Sequence, residues 1–260
     1  MTPVSEEIIP APRLRERVAV CAHRGACGLA PENTIPALEK AIELGCEAVE
    51  IDVRTTADGE IVVMHNSTVD ATTNGTGPVA EFTLAEIRGL DAGAHFGPQF
   101  AGTRVPTLAE ALECCKGRTL VVLEVKQATV DAILRIVNDC RAREEVAVLT
   151  GVEWLAELRA RDAGISVVAQ PWHVDEVVPA LERLKPEYSI VRWKPGRETN
   201  TFYPHIIEAC HRYGTQICQN VLGQKDTPEG VRAVITAGVD IIETDEPEMV
   251  MAVAGEMGAR

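Results

Sequence analysis

Three short segments carry chemistry-bearing side chains directly after apolar runs: His23-Arg24-Gly25, Glu50-Ile51-Asp52 and Glu124-Val125-Lys126. Residues two apart in a strand point to one face, so Glu50 shares a face with Asp52, and Glu124 with Lys126. Glu50, Asp52 and Glu124 then make an all-oxygen cluster. Carboxylates crowded on one face repel one another unless a cation sits among them. Hard oxygen donors suit Mg2+ or Ca2+, with Mn2+ also accommodated, better than Zn2+. The competing assignment is structural pairing of Glu50 and Asp52 with Arg54 or Lys126. His23 and His65 are candidates for an acid/base pair, because imidazole titrates near neutrality without perturbation. Arg24 offers a fork of donors to a phosphate and Lys126 a point charge. Pairing of Arg24 with Glu32 is compatible with that role.

Nine β-rich runs, at 18–22, 47–53, 60–65, 119–125, 146–150, 166–170, 188–193, 215–220 and 239–244, are to position these residues. Helical patterns such as IPALEKAIELG, TVDAILRIVNDCRA and TPEGVRAVITAG lie between most of them. Strand-helix alternation of this kind implies a parallel sheet. Too few residues separate the second and third runs for a parallel crossover, so these two are to form an antiparallel hairpin turning at Asp58-Gly59. A turn centred between Ala57 and Asp58 opposes His65 to Glu50; one centred on Asp58-Gly59 opposes it to Asp52. Either register puts His65 on the carboxylate face. Removing the return strand leaves eight strands in a chain of 260 residues, the count and length of a (β/α)8 barrel, with an open doubly wound sheet as the alternative. Carboxylates at the C-terminal ends of barrel strands read as catalytic. Thr34 is to cap the first long helix, with Pro36 in its first turn. Residues 66–106 break the rhythm with TTNGTG and GAHFGPQFAG and read as an excursion with one short helix near TLAEIRGL. The expected organisation is one domain over 1–260 with an insertion at about 54–106.

A formal net charge of −14 disfavours a general nucleic-acid binder and leaves a small anionic substrate dependent on local cations or a metal. The eight cysteines contain no C-x-x-C pair and read as small buried hydrophobes of a reducing compartment. No run is long and apolar enough for a signal peptide or a bilayer span, so the expectation is a cytoplasmic protein without stable membrane insertion. Nucleotide-loop, dinucleotide-loop and serine-hydrolase signatures are absent. His95 falls in the insertion as a candidate for a substrate mouth. His173, His205 and His211 read as surface residues.

Taken together, AHRGACGLAPENTIPALEKAIELGCEAVEIDVRTTADGEIVVMHN, TTNGTG, LDAGAHFGPQFAGTRVPTLAEAL, LEVK and AGVDIIETDEP resemble the glycerophosphodiester phosphodiesterases, closely over 19–126 and more loosely at 236–247. The resemblance implies a distorted (β/α)8 TIM-type barrel with a small inserted subdomain. It implies one divalent cation held by Glu50, Asp52 and Glu124, an acid/base pair of His23 and His65, and Arg24 and Lys126 beside the phosphate of a small-molecule phosphodiester. The family's usual reaction yields glycerol 3-phosphate and an alcohol; the metal and the roles of the two histidines stay open. Three departures concern the leaving-group side. Asn66 stands where the family has Asp, Ala71 where it has Arg, and Gln219-Asn220-Val221-Leu222 where it has W-T-V-N. Trp193 and Lys194 are candidates to replace part of that wall.

Two rivals follow: a lysophospholipase D-like or sugar-phosphodiester enzyme on the same barrel, and a non-catalytic phosphodiester-binding protein, which would have lost a metal carboxylate or a His. On this reading, His173→Ala leaves turnover unchanged in a steady-state assay, and a severe loss would displace the site.

Overall fold

The computed structural model describes residues 17–171, 174–191, 204–223 and 226–260. In chain order the elements are β1 (Ala19–Ala22), α1 (Ile35–Leu44), β2 (Ala48–Thr55), β3 (Ile61–Val63), α2 (Leu84–Ile87), α3 (Leu108–Cys115), β4 (Leu120–Gln127), α4 (Val130–Asp139), β5 (Val146–Thr150), α5 (Val152–Arg161), β6 (Ser166–Ala169), α6 (Val174–Leu184), β7 (Tyr188–Val191), α7 (Pro204–Arg212), β8 (Gln216–Asn220), α8 (Pro228–Ala237), β9 (Ile241–Thr244) and α9 (Pro247–Glu256). β1 pairs in parallel with both β9 and β2, which closes the parallel strands into a ring of eight. β3 stands outside the ring, antiparallel to β2. The architecture is a (β/α)8 barrel.

Alternation along the strands sorts the core into two layers. Val20, Val49, Ile51, Val121, Leu123 and Val148 pack outward on the helices. Ala19, Cys21, Ala48, Ala147, Leu149, Val168, Ile190, Cys218 and Ile241 fill the lumen. Glu50, Asp52, Glu124 and Lys126 share the lumen parity two or four residues beyond Ala48 and Val122 on their strands, so they meet at the C-terminal mouth.

Two expectations are corrected here. The β2–β3 ladder pairs Val53 with Val63 and Thr55 with Ile61, a register centred on Asp58 itself rather than beside it. The difference of half a step inverts the parity argument, since an extended ladder would oppose position 65 to Ile51. β3 ends at Val63, however, and the chain bends at 65–67, so strand pairing does not aim His65. Asp58 fixes this turn by accepting from Thr56 Oγ1 at 2.6 Å and from the Leu84 N–H at 3.0 Å. Thr34 occupies the N-cap position of α1, but its hydroxyl donates to Pro31 O at 2.5 Å instead of accepting from the helix.

Val62 of β3 and residues beyond the hairpin form their own small apolar cluster with Met64, Val69, Val79, Ile87, Ala92 and Val105. Asp91 shapes the glycine-rich loop there, accepting from the N–H groups of Gly93, Ala94 and Gly102 at 2.8, 3.0 and 2.8 Å. His95 is exposed on that loop. His211 departs from the surface reading: half-buried, it meets Asp240 Oδ2 at 2.7 Å. His173, the side chain of His205, Trp193 and Lys194 lie outside the described residues. Among the described residues no helix is long and apolar enough to cross a membrane.

Thr107 caps α3 with a complete capping box, its side chain accepting from the Glu110 N–H while Glu110 reaches back to the Thr107 N–H. Thr107→Ala is expected to cost about 1 kcal/mol of unfolding free energy in urea melts, with turnover at the barrel mouth unaffected.

Candidate active site

The first loop builds the site by holding unusual backbone angles. Arg24 takes φ 54° and Gly25 φ 77°. A Cβ at Gly25 would fall 2.7 Å from the Ala37 carbonyl carbon, so this position requires glycine. The left-handed turn at Arg24 costs of order 1–3 kcal/mol for a non-glycine residue. It directs the Arg24 N–H to Glu50 Oε2 at 3.0 Å, while the Gly25 N–H bonds Glu50 O at 3.2 Å. The Arg24 guanidinium spans Glu32 Oε1 at 2.9 Å and Asp52 Oδ2 at 3.5 Å. Its Nε is buried without a hydrogen-bond partner.

Asn33, also left-handed at φ 57°, clamps Asp52 from two sides. Its Nδ2 donates to Asp52 Oδ2 at 2.9 Å, and its Oδ1 accepts the Asp52 N–H at 3.0 Å. Lys126 Nζ sits 2.7 Å from Glu124 Oε1 and 3.1 Å from Asp52 Oδ1, the second contact without the alignment of a hydrogen bond. Glu50 and Asp52 are each 1% exposed, and one oxygen from each of Glu50, Asp52 and Glu124 lies within 4.8 Å of the others. Burial pushes the Glu50 carboxyl well above the usual range, and the nearby Asp52, Glu243 and Glu124 push it further. Glu50 Oε1 has no hydrogen-bond partner. An orphaned buried oxygen inside a ring of carboxylates is the donor chemistry that a hard divalent cation satisfies.

His23 lies at the other side of Glu50, its Nε2 at 4.0 Å from Glu50 Oε2 and its Nδ1 at 2.7 Å from Asp245 Oδ1. Burial alone would lower its pKa, but the Asp245 hydrogen bond and the field of Glu243 outweigh it and the net direction is upward. His65 joins the set through the backbone. Met64 N donates to Asp52 O at 2.8 Å, and Arg54 Nε donates to His65 O at 2.9 Å. The ring pairs through Nδ1 with Asn66 Oδ1 at 2.8 Å, so Asn66 supplies an acceptor without a charge. The structure thus joins His23, Arg24, Glu50, Asp52, Glu124 and Lys126 by direct contacts, while His65 adjoins them along the chain.

Asn33, Asp245 and Glu243 were not assigned a place in the site from sequence alone. Asn33 and Asp245 lie in PENT and ETDEP, segments that carried the resemblance without being assigned a task. Glu243 faces the lumen from β9, beside Cys21 of β1 and Asn220 of β8, a placement visible only once the ring is closed. Within Gln219–Leu222, the strand parity of Cys218 makes Asn220 the lumen-side residue, while the amide of Gln219 turns to Asn220 O at 2.9 Å.

The chain matches the model of the glycerophosphoryl diester phosphodiesterase family over residues 23–201. It is 34% identical over 247 residues to a glycerophosphodiester phosphodiesterase of Caldanaerobacter subterraneus, covering 89% of this chain and 96% of that one. A glycerophosphodiester phosphodiesterase structure from Agrobacterium tumefaciens superposes with a TM-score of 0.79 at 30% identity, covering 90% of this chain and 99% of the other. An Oleispira antarctica phosphodiesterase, solved in complex with the product sn-glycerol-3-phosphate, shares the fold with a TM-score of 0.79 at 24% identity over 92% and 97% of the two chains.

Replacing Glu50 by a neutral amide should remove the cost that burial and its acidic neighbours impose on ionising that carboxyl. Glu50→Gln is therefore expected to raise the thermal midpoint of the EDTA-treated protein at neutral pH, where the wild-type carboxyl is held above its ordinary pKa. An unchanged or lower midpoint would show that the ring is not under electrostatic stress.

Proposed function

The chain belongs to the glycerophosphoryl diester phosphodiesterase family, and we propose that it hydrolyses small glycerophosphodiesters to glycerol 3-phosphate and an alcohol with one bound divalent cation. The observation that carries this reading is the carboxylate ring at the barrel mouth with its orphaned Glu50 oxygen, flanked by His23, Arg24 and Lys126. On this reading residues 54–106 are an insertion within a single catalytic domain, and the reaction is cytoplasmic on the sequence grounds given above. Glu50, Asp52 and Glu124 hold Mg2+, Ca2+ or Mn2+. Bound there, the cation supplies charge neutralisation at phosphoryl oxygens and acidifies a hydroxyl it binds.

The side chains divide the remaining work. Arg24, through its guanidinium, and Lys126 hold the phosphate oxygens. His23, whose affinity for a proton is raised by Asp245, takes the proton from the glycerol 2-hydroxyl as its oxygen attacks phosphorus. His65, paired with a neutral amide, gives a proton to the departing alcohol. The attack forms a cyclic phosphate and breaks the bond to the alcohol. Water then opens the ring, with proton transfers reversed between the two histidines. Asn220 and Glu243 border the lumen on the side where the sequence departs from its family, which supports a leaving-group preference particular to this chain.

Incubation with glycerophosphocholine or glycerophosphoethanolamine is expected to release glycerol 3-phosphate. Release should stop with EDTA and return when one of Mg2+, Mn2+ or Ca2+ is restored. Glu50→Ala and Asp52→Ala should abolish turnover while keeping the far-UV circular dichroism of the folded barrel. Wild-type turnover in either variant would overturn the metal assignment. Absence of release with every cation would overturn the substrate.

A further inference from the structure

Asp245 serves two donors with one oxygen. His23 Nδ1 lies 2.7 Å and Cys27 Sγ 3.0 Å from Oδ1. One ligand-type atom from each of the three residues lies within 4.8 Å of the other two. They are an imidazole nitrogen, a thiol sulfur and a carboxylate oxygen, a donor set unlike the oxygen-only ring across Glu50. The proposed reaction uses the Nε2 side of His23 and makes no use of Cys27.

The geometry points to a second metal site at His23 Nδ1, Cys27 and Asp245, one that takes Zn2+ or a comparably soft divalent ion and inhibits the enzyme when filled. Zn2+ accepts Cys, His and Asp donors together and commonly keeps a water as its fourth ligand. Thiolate donors favour it over the hard cations suited to the carboxylate ring. The two loops that bear the donors are already fastened together. His23 N donates to Thr244 O at 3.0 Å, while Asp226, from the segment before α8, separately anchors Asp245 by accepting its N–H at 2.8 Å. Gly28 lies so close that a Cβ there would come 2.7 Å from the Asp245 carbonyl oxygen. A metal-bound imidazole usually turns its other nitrogen to a carboxylate or carbonyl, and here Nε2 faces Glu50 Oε2 at 4.0 Å. All three donors are half-buried rather than sealed, so an ion reaches them from solvent.

Binding exchanges hydrogen bonds for coordination bonds, with no change of oxidation state. Cys27 gives its thiol proton to solvent, and the proton of the neutral imidazole moves from Nδ1 to Nε2. With Nδ1 on the metal and its single proton on Nε2, the ring has no lone pair left to accept a proton from substrate. The inhibition therefore rests on the role proposed for His23; the binding does not.

Co2+ serves as the spectroscopic probe, titrated into the full-length protein with excess Mg2+ to occupy the carboxylate ring. One equivalent is expected to produce a thiolate-to-cobalt charge-transfer band, which Zn2+ then displaces. Cys27→Ser should lose the band although the other seven cysteines remain. Serine keeps a donor for Asp245, so basal turnover with Mg2+ should not change, while the Zn2+ concentration for half-inhibition should rise about tenfold or more. Cys27→Ala repeats the test if the serine variant fails to fold. No band, or a band that survives in both Cys27 variants, overturns the site. A band lost together with an unchanged inhibition midpoint overturns the inhibitory role. Because the band needs no substrate, its outcome is independent of whether the proposed hydrolysis holds.

Discussion

Carboxyl groups crowded into the mouth of the barrel set the terms for everything around them. At an effective dielectric of about 20, two unit charges 4.8 Å apart would repel by about 3 kcal/mol; oxygens of Glu50, Asp52 and Glu124 lie within that distance of one another, which is one reason Glu50 resists ionising. Native stability is itself only about 5–15 kcal/mol, so this repulsion cannot stand unanswered. Lys126 answers part of it by bridging Glu124 and Asp52, and Arg24 another part by reaching Asp52. Neither hydrogen-bonds Glu50 Oε1. An unpartnered oxygen of this kind is what a cation site would need and what a fully paired structural network would lack.

The frame around that ring is arranged so that it cannot relax by moving apart. β1, β2 and β4 are hydrogen-bonded neighbours whose inward positions are spaced by the ladder. Their outward positions, Val20, Ile51 and Leu123 among them, are fully buried under the helices. Displacing a strand to separate the carboxylates would open that layer, at a cost of several kcal/mol for even one large aliphatic side chain. The two left-handed residues, Arg24 and Asn33, add local strain in exchange for N–H and amide donors aimed at Glu50 and Asp52. Strain and repulsion are therefore both held in place by the apolar packing outside the barrel, and a divalent ion bound in the ring would relieve the repulsion.

Much of this was legible before the fold was known, because strand parity is a rule of one residue. Glu50 with Asp52 and Glu124 with Lys126 needed only the recognition of two strands, and the count of eight followed from the short β2–β3 connection. The same rule failed for His65. A hairpin register depends on where the turn is centred, and centring on Asp58 differs by half a step from both registers that the sequence suggested. Turn placement was decided by side-chain contacts of Asp58 with Thr56 and Leu84, the latter distant in sequence. Glu243 and Asp245 were illegible for a different reason: one stands on the last strand and the other just after it, and only ring closure brings β9 beside β1. Thr34 shows a third kind of limit, since its position was right but its hydroxyl found a closer acceptor in Pro31.

His23 joins the two halves of the mouth, and its two nitrogens face different chemistries. Nε2 looks toward the oxygen-only ring, whereas Nδ1 looks toward Asp245 and the Cys27 thiol. In the neutral ring, the Asp245 hydrogen bond fixes the proton on Nδ1 and leaves Nε2 as the acceptor. His65 has no such device, because Asn66 offers it an amide oxygen instead of a carboxylate. The two rings therefore differ in their partners, a carboxylate at Nδ1 of His23 and a neutral amide at Nδ1 of His65. The asymmetry also concentrates vulnerability in one atom: whatever occupies Nδ1 of His23 decides the state of Nε2, whether that occupant is the Asp245 hydrogen bond or a metal ion.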